Sequence, residues 1–223
     1  FFVRGVTYGP FGSDREYHDE KSVERDFAHM ASTGLNAVRT YTVPPRWFLD
    51  LALKYGLRVM VGIAWEQHVS FLDDPALSHE IVERVRYGLH SCAGHPAILC
   101  YALGNEIPAS IVRWYGPVKI QQFLRKLYDA GKAEDPAGLF TYVNYPTTEY
   151  LQPSFLDLVA FNIYLHSTES LSAYISRLLN LAGDRPLLIA EIGIDSRRNG
   201  VLAQASLLEQ QIRTISLSGC VGA

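Results

Sequence analysis

Short, almost entirely apolar runs alternate with longer amphipathic runs along the whole 223-residue chain. The short runs are rich in β-branched residues and lack polar alternation, which is typical of parallel strands covered on both faces. They predict eight strands, the last of them incomplete: Val3–Tyr8, Asn36–Tyr41, Arg58–Ile63, Ile98–Leu103, Leu139–Asn144, Leu158–Asn162, Leu187–Ala190 and Cys220–Ala223.

The longer runs have the spacing of helices. Val23, Phe27 and Met30 recur on one helical face, and Gly34 follows where a C-terminal cap residue belongs. Similar apolar stripes follow the second, third, fourth, sixth and seventh predicted strands. Ser78 is predicted to cap the N-terminus of the helix after the third strand.

Strict alternation of strand and helix leaves two architectures, a doubly wound open sheet or a (β/α)8 barrel. Neither glycine-rich nucleotide-binding pattern follows the first strand. A barrel of eight strand–helix units takes roughly 250 residues, so the length favours a compact TIM barrel whose eighth strand is truncated. No linker composition divides the chain, which predicts one domain over residues 1–223. Both ends resemble interrupted strands, so we expect a domain excised from a longer protein.

The composition excludes several classes of protein. A hydrophobic fraction of 48% with 19% charged residues argues against disorder, and no apolar run is long enough to predict a transmembrane segment. The net charge of −3 argues against a nucleic-acid partner. Three cysteines without paired spacing and seven scattered histidines indicate neither a disulfide framework nor a zinc site, and buried thiols are expected.

Two glutamates follow apolar strands and are candidates for catalysis. Glu106 comes after the fourth predicted strand and Glu191 after the seventh, and the carboxyl ends of barrel strands converge on one face. A carboxylate there is costly to bury unless it is paired or used. Two carboxylates across a barrel mouth suit retaining glycoside hydrolysis, in which one donates a proton and the other attacks the anomeric carbon. Arg39 and Tyr164 are predicted to hold the attacking carboxylate ionised, although an Arg39 ion pair that only ties strands together would look the same.

Four segments then carry a resemblance. The Gly-Asn-Glu tripeptide at 104–106 resembles the acid/base signature of the clan A glycoside hydrolases, which are (β/α)8 barrels. Residues 189–196 are similar to the nucleophile segment of glycoside hydrolase family 2, the β-galactosidase and β-glucuronidase family. Residues 37–44 and 156–164 resemble that family's second and sixth strands. The four matches occur in the right order, and the chain is most similar to the family 2 catalytic domain.

The resemblance implies a retaining glycosidase that acts on a β-linked oligosaccharide or polysaccharide through a covalent glycosyl-enzyme. Glu106 would be the general acid/base, Glu191 the nucleophile, and Asn105 the residue that hydrogen-bonds the sugar 2-hydroxyl. The chain departs from the family at Thr42, where a histidine is usual, and after its third strand. No metal or organic cofactor is implied, because proton transfer and a carboxylate nucleophile suffice.

Further residues at the ends of strands are expected to bind or support the substrate. Trp65 is predicted to offer a flat face on which a sugar ring can stack, and loop packing is the alternative for it and its neighbours. The other candidates of this kind are Tyr41, Glu66, His68, Asn162 and His166.

Two other functions are compatible with the same residues. A glucan transglycosylase in a larger polysaccharide-synthesis protein would use the same glycosyl-enzyme and differ only in the acceptor. A barrel that binds carbohydrate without catalysis is the third possibility, and the incomplete eighth strand is the feature that favours it.

Overall fold

The computed structural model describes residues 1–11 and 17–223. One parallel sheet contains seven strands, and each strand pairs with the next one along the chain. Their bounds are β1 Gly5–Thr7, β2 Ala37–Thr40, β3 Arg58–Gly62, β4 Ile98–Asn105, β5 Phe140–Asn144, β6 Val159–Asn162 and β7 Leu187–Glu191. Because the strand order follows the sequence, every crossover runs in the same sense and the sheet curls into a barrel. The predicted TIM barrel is confirmed.

Helices connect the strands on the outside of the barrel. They are α1 Glu20–Ser32, α2 Arg46–Lys54, α3 Pro75–His90, α4 Ala109–Tyr115, α5 Pro117–Glu134, α6 Thr168–Ala182, α7 Ser196–Asn199 and α8 Val201–Ser216, with a 3-10 turn at Pro146–Thr148. The six predicted apolar stripes lie in α1, α2, α3, α5, α6 and α8. The short helices α4 and α7 were not predicted, since each is too short to show a periodic stripe.

The predicted cap of α3 is wrong. The helix begins at Pro75, and the carboxylate of Asp74 accepts hydrogen bonds from two backbone N–H groups of the first turn. Proline is well suited to the first helical position, because its missing N–H would have no partner there. Ser78 lies inside the helix instead, and its hydroxyl donates to the carbonyl of Phe71 at 2.6 Å.

The last residues of the chain occupy the place of the predicted eighth strand. The N–H of Val221 donates to Leu187 of β7 at 2.9 Å, and the N–H of Val3 donates to Val221 at 2.7 Å. Residues 221–223 therefore lie between β7 and the start of the chain, with one parallel bridge from Val3 to Gly222. A side chain at Gly222 would meet the Val3 carbonyl oxygen at 2.1 Å, so only glycine allows this close approach. The barrel is nearly closed as a result.

Successive side chains along each strand point alternately into the barrel and toward the helices. Ala37 belongs to the small cluster inside the barrel, whereas Val38 packs in the large cluster under the helices. Side chains two residues apart share a face of a strand, so Arg39 points inward like Ala37, and Asn162 points inward like Ala160. All three cysteines are free and buried, as predicted.

Candidate active site

Arg39 is the centre of a polar cluster at the carboxyl ends of the strands. Its side chain is almost fully buried, and one guanidinium nitrogen, Nη1, donates to Glu191 Oε1 at 2.6 Å. The other, Nη2, donates to Asn105 Oδ1 at 2.7 Å. Nη1 also lies 3.2 Å from the carbonyl oxygen of Ala190. The planar guanidinium thus joins the ends of β4 and β7 from its place on β2.

Two tyrosine hydroxyls complete the surroundings of Glu191. Tyr41 donates to Glu191 Oε1 at 2.8 Å, and Tyr164 donates to Oε2. The guanidinium of Arg39 also lies over the ring of Tyr41, 4.8 Å from its centroid. Both carboxylate oxygens of Glu191 therefore accept hydrogen bonds, and one donor carries a full positive charge. Such donors stabilise the ionised form of a carboxylate.

Burial raises the pKa of both tyrosines, and the Glu191 carboxylate adds to the shift. Burial of its hydroxyl is the largest cause for Tyr41, the neighbouring Glu191 carboxylate adds to it, and the pKa rises to about 12. Burial and the hydrogen bond to Glu191 raise the pKa of Tyr164 as well. Both phenols therefore stay protonated, and remain donors, far above neutral pH.

Glu106 has different surroundings. The side-chain amide of Asn162 donates to Glu106 Oε1 at 2.6 Å and lies 3.2 Å from Asn105 Oδ1. Asn162 is almost completely buried, so its amide is held in place by packing. A neutral amide is the hydrogen-bond partner of Glu106, in contrast to the charged donor on Glu191. The two glutamates differ in the charge of their partners, although a single connected network of side chains links them through Arg39.

The backbone at Glu106 has an unusual conformation. Among the residues that the structure describes, Glu106 is the only non-glycine residue with a left-handed φ, at 52°. The register between β4 and β5 also shifts between Ala102 and Asn105. Residues held in such sparsely populated conformations concentrate at functional sites. The turn directs the Glu106 side chain to Asn162.

Sequence reasoning did not identify Gln67 as part of this region. Its side-chain amide accepts from the backbone N–H of Asn105 at 3.0 Å and donates to the carbonyl oxygen of the same residue. The available signal was its position, two residues after Trp65 in the polar segment that follows β3. Nothing in the sequence indicates which strand that segment faces, so the contact could not be predicted.

Trp65 does not present its ring to the barrel mouth, and the alternative of loop packing describes its place in the structure. Its ring is buried against Phe71 and Phe123, with centroid distances of 4.9 and 5.7 Å. Its indole N–H donates to the carbonyl oxygen of Leu103 at 2.8 Å. A tryptophan just past a strand can point either toward the helices or toward the barrel mouth. Here the ring packs in the apolar layer under the helices.

Three other candidates lie apart from the cluster around Arg39. Glu66 accepts two hydrogen bonds of 2.9 Å from Arg84 of α3, which also pairs with Glu80. His68 and His166 are exposed in the loops after β3 and β6. Seven of the predicted residues are brought into the network itself: Arg39, Tyr41, Asn105, Glu106, Asn162, Tyr164 and Glu191.

A family model for the TIM barrel domain of glycosyl hydrolases family 2 matches residues 15–216. The chain belongs to this family. The resemblance stated from four short segments is thereby confirmed over nearly the whole length. Among the described residues, no group of three or more histidine, cysteine and acidic side chains is placed to hold a metal ion. No helix in the described part of the chain is long and apolar enough to cross a membrane.

Relatives and solved structures agree with the family. The β-galactosidase of Leuconostoc mesenteroides is 33% identical over 112 residues, which cover 47% of this chain and 11% of that protein. The β-galactosidase of Vibrio vulnificus is 35% identical over 94 residues, covering 39% and 9%. The chain thus matches about a tenth of the length of these curated relatives.

Two solved structures superpose on the whole chain. A β-glucuronidase of Bacteroides uniformis has a TM-score of 0.85 at 18% identity, and the match covers 100% of this chain and 30% of that one. The β-D-glucuronidase of Dictyoglomus thermophilum has a TM-score of 0.80 at 17% identity, covering 100% and 43%. At this identity the likeness establishes the fold.

Proposed function

We propose that the chain is the catalytic barrel of a retaining glycoside hydrolase that acts on a β-linked glycan or glycoside. Glu106 serves as the general acid/base and Glu191 as the nucleophile. The observation that carries this proposal is the unequal environment of the two carboxylates. Glu191 accepts from a buried guanidinium and two phenols, whereas Glu106 accepts from the neutral amide of Asn162. The first environment suits an anionic nucleophile, and the second tolerates a carboxylic acid.

The reaction proceeds in two displacements at the anomeric carbon. Glu106, as the acid, gives its proton to the glycosidic oxygen while the bond from that oxygen to the anomeric carbon breaks. A carboxylate oxygen of Glu191 attacks the same carbon and forms a glycosyl ester. Glu106, now a carboxylate, takes a proton from a water molecule whose oxygen attacks the anomeric carbon and displaces Glu191.

The neighbours of Glu191 help both steps. Arg39, Tyr41 and Tyr164 stabilise its negative charge before attack and receive it again when the ester breaks. Because these donors are already in position, little reorganisation is needed when the charge moves. The same three contacts fix the direction from which the carboxylate approaches the sugar.

Asn105 is placed for contact with the sugar. Its side-chain oxygen accepts from Arg39 and Asn162, so the orientation of the amide is fixed. Within the described part of the chain, its side-chain nitrogen makes no hydrogen bond to protein. The geometry supports the expectation that this N–H group donates to the sugar 2-hydroxyl, a contact that strengthens as the transition state forms.

Galactosides and glucuronides are the first substrates to test, because the similar proteins are β-galactosidases and β-glucuronidases. These relatives are far longer than this chain, which supports the prediction that the barrel works beside other domains. The single-domain boundary of 1–223 stays a prediction.

The test is a panel of aryl β-galactosides, β-glucuronides and β-glucosides, with the first-formed anomer followed by NMR. The β-anomer must appear first for a retaining enzyme. A first-formed α-anomer, or no turnover of any β-glycoside, would overturn the proposal. Adding excess acceptor sugar to the same reactions reveals any transglycosylation. Mass spectrometry after reaction with the matching 2-deoxy-2-fluoro glycoside must place the adduct on Glu191, and Glu191→Gln must give none.

A further inference from the structure

The segment that carries Glu106 leaves the regular barrel before the catalytic residue is reached. Backbone pairing between β3 and β4 ends at Gly62 and Ala102, with one more bond from Ile63 to Ala102. Beyond that point, no backbone group among the described residues bonds the β3 side of β4. Asn105 and Glu106 lie in this stretch, which has no backbone partner on the β3 side in the described part of the chain, and the φ of Glu106 is 52°. A conformation of this kind persists only when its surroundings enforce it.

Beyond the end of β3, side chains supply hydrogen bonds to the backbone of β4. The indole N–H of Trp65 donates to the carbonyl oxygen of Leu103 at 2.8 Å. Two residues further along both segments, the amide of Gln67 bonds the N–H and the carbonyl of Asn105. Trp65 and Gln67 therefore continue the ladder on the β3 side of β4 with side-chain groups. An amide is suited to this pairing because it supplies one acceptor and one donor in the same plane.

Gly104 provides the room for these contacts. A Cβ atom there would lie 3.3 Å from Gln67 Oε1 and 3.3 Å from the ring of Trp65. The absence of a side chain at 104 thus lets the amide and the indole approach β4. A larger residue at 104 would push these side chains away by a few tenths of an ångström, which is an effect of packing, since Gly104 itself has no left-handed φ.

The β5 side of the same segment is also held. The N–H of Glu106 donates to Val143 at 2.9 Å, and the N–H of Ile107 donates to the hydroxyl of Tyr142 at 2.8 Å. Burial raises the pKa of Tyr142, so this hydroxyl stays protonated and neutral. Glu106 therefore lies between a contact to β5 and the Gln67 amide on the β3 side.

We propose that Gln67 is a positioning residue for the general acid/base, acting through its two hydrogen bonds to the backbone of Asn105. This inference rests on the proposed role of Glu106. Without the amide, the end of β4 is free to relax, and the carboxyl group moves away from the glycosidic oxygen that it must protonate. The larger part of the loss falls on proton donation, because Gln67 bonds the backbone beside Glu106, whereas Glu191 is reached only through the side-chain contact between Asn105 and Arg39.

The test compares Gln67→Met, which keeps the length and removes both bonds, with Gln67→Glu, which keeps an acceptor and removes the donor. Gln122→Met and Gln122→Glu, at an exposed glutamine of α5, are the matched controls. Each variant of the complete protein is assayed on phenyl and dinitrophenyl β-glycosides of the sugar that it hydrolyses. Dinitrophenolate leaves without protonation, whereas phenolate needs the general acid.

We expect both Gln67 variants to lose about tenfold or more in kcat/KM on the phenyl glycoside and to lose far less on the dinitrophenyl glycoside. Azide, which attacks the glycosyl-enzyme without a general base, should raise their kcat on the dinitrophenyl substrate. Equal losses on both substrates would assign Gln67 a merely structural role and overturn the inference. Wild-type rates in both variants would do the same. If one variant fails to fold, the other carries the comparison.

Glu106→Gln separates this inference from the proposed function. It must show the same leaving-group dependence and the same azide effect, in stronger form, if Glu106 is the acid/base. If Glu106→Gln shows that behaviour while the Gln67 variants resemble wild type, only the inference about Gln67 fails. If Glu106→Gln keeps full activity on the phenyl glycoside, the proposed function fails and the inference fails with it.

Discussion

Arg39 and Glu191 are 152 positions apart in the chain and are joined by a hydrogen bond of 2.6 Å between nearly buried side chains. The arginine points into the barrel from β2, and the glutamate ends β7. Two more donors reach the same carboxylate, from Tyr41 and Tyr164. This pair is the structural basis on which Glu191 is proposed as the nucleophile.

Glu191→Gln should reduce kcat by about 10³-fold or more on every glycoside tested, because an amide cannot form the glycosyl ester. The leaving group should make no difference, in contrast to the acid/base variant. Steady-state kinetics measures the loss, and far-UV circular dichroism checks the fold. Glu209→Gln, at an exposed ion pair with Arg213 of α8, is the control and should keep full activity. Retained turnover in Glu191→Gln would rule out its role.

Arg39→Met should lower the free energy of unfolding by about 3 kcal/mol, since removal of one partner leaves the other charge buried without compensation. Adding Glu191→Gln to this variant removes the stranded charge, so the double variant should regain part of the loss. Urea denaturation of the two single variants and the double variant measures the coupling. If the two single changes in the free energy of unfolding simply add up in the double variant, the Arg39–Glu191 pair makes no specific contribution to stability.

Tyr41→Phe should change the alkaline end of the stability profile. The pKa of Tyr41 rises from 10.0 to about 12 in the folded chain, so the folded state keeps its proton where the unfolded state loses it. The contribution to stability is fully present below pH 10 and is lost as the pH rises to about 12. Between these values the free energy of unfolding of Tyr41→Phe should fall less steeply than that of wild type. Parallel curves would contradict the shift.

Trp65→Phe should destabilise the protein without weakening substrate binding. The change removes the hydrogen bond to Leu103, worth about 1 kcal/mol, and leaves that buried carbonyl without its donor. KM should stay within about twofold of wild type, because the ring packs on Phe71 and Phe123. Thermal unfolding and Michaelis–Menten kinetics measure the two effects. Trp114→Phe, at an exposed position, is the control for stability. A large rise in KM with unchanged stability would restore the platform interpretation.

The sequence by itself determined the order of strands and helices. It also identified the residues whose side chains can carry out the proposed chemistry. Apolar runs of strand length separated by helical stripes admit few architectures, and parallel strands bring their carboxyl ends to one face. Arg39, Glu106 and Glu191 could therefore be placed near one another before any contact was known. The strand bounds differed by a few residues, because strand ends depend on the neighbouring strand rather than on local pattern.

Only the tertiary structure decided which neighbour each polar side chain meets. Trp65 and Gln67 follow the same strand two residues apart, yet one is buried under the helices and the other bonds the backbone of Asn105. Sequence spacing indicates the face of a regular strand, but it says nothing once the chain has left the sheet. The direction of a side chain there is set by the space and the unpaired backbone groups that distant segments leave open, and these exist only after the barrel has formed.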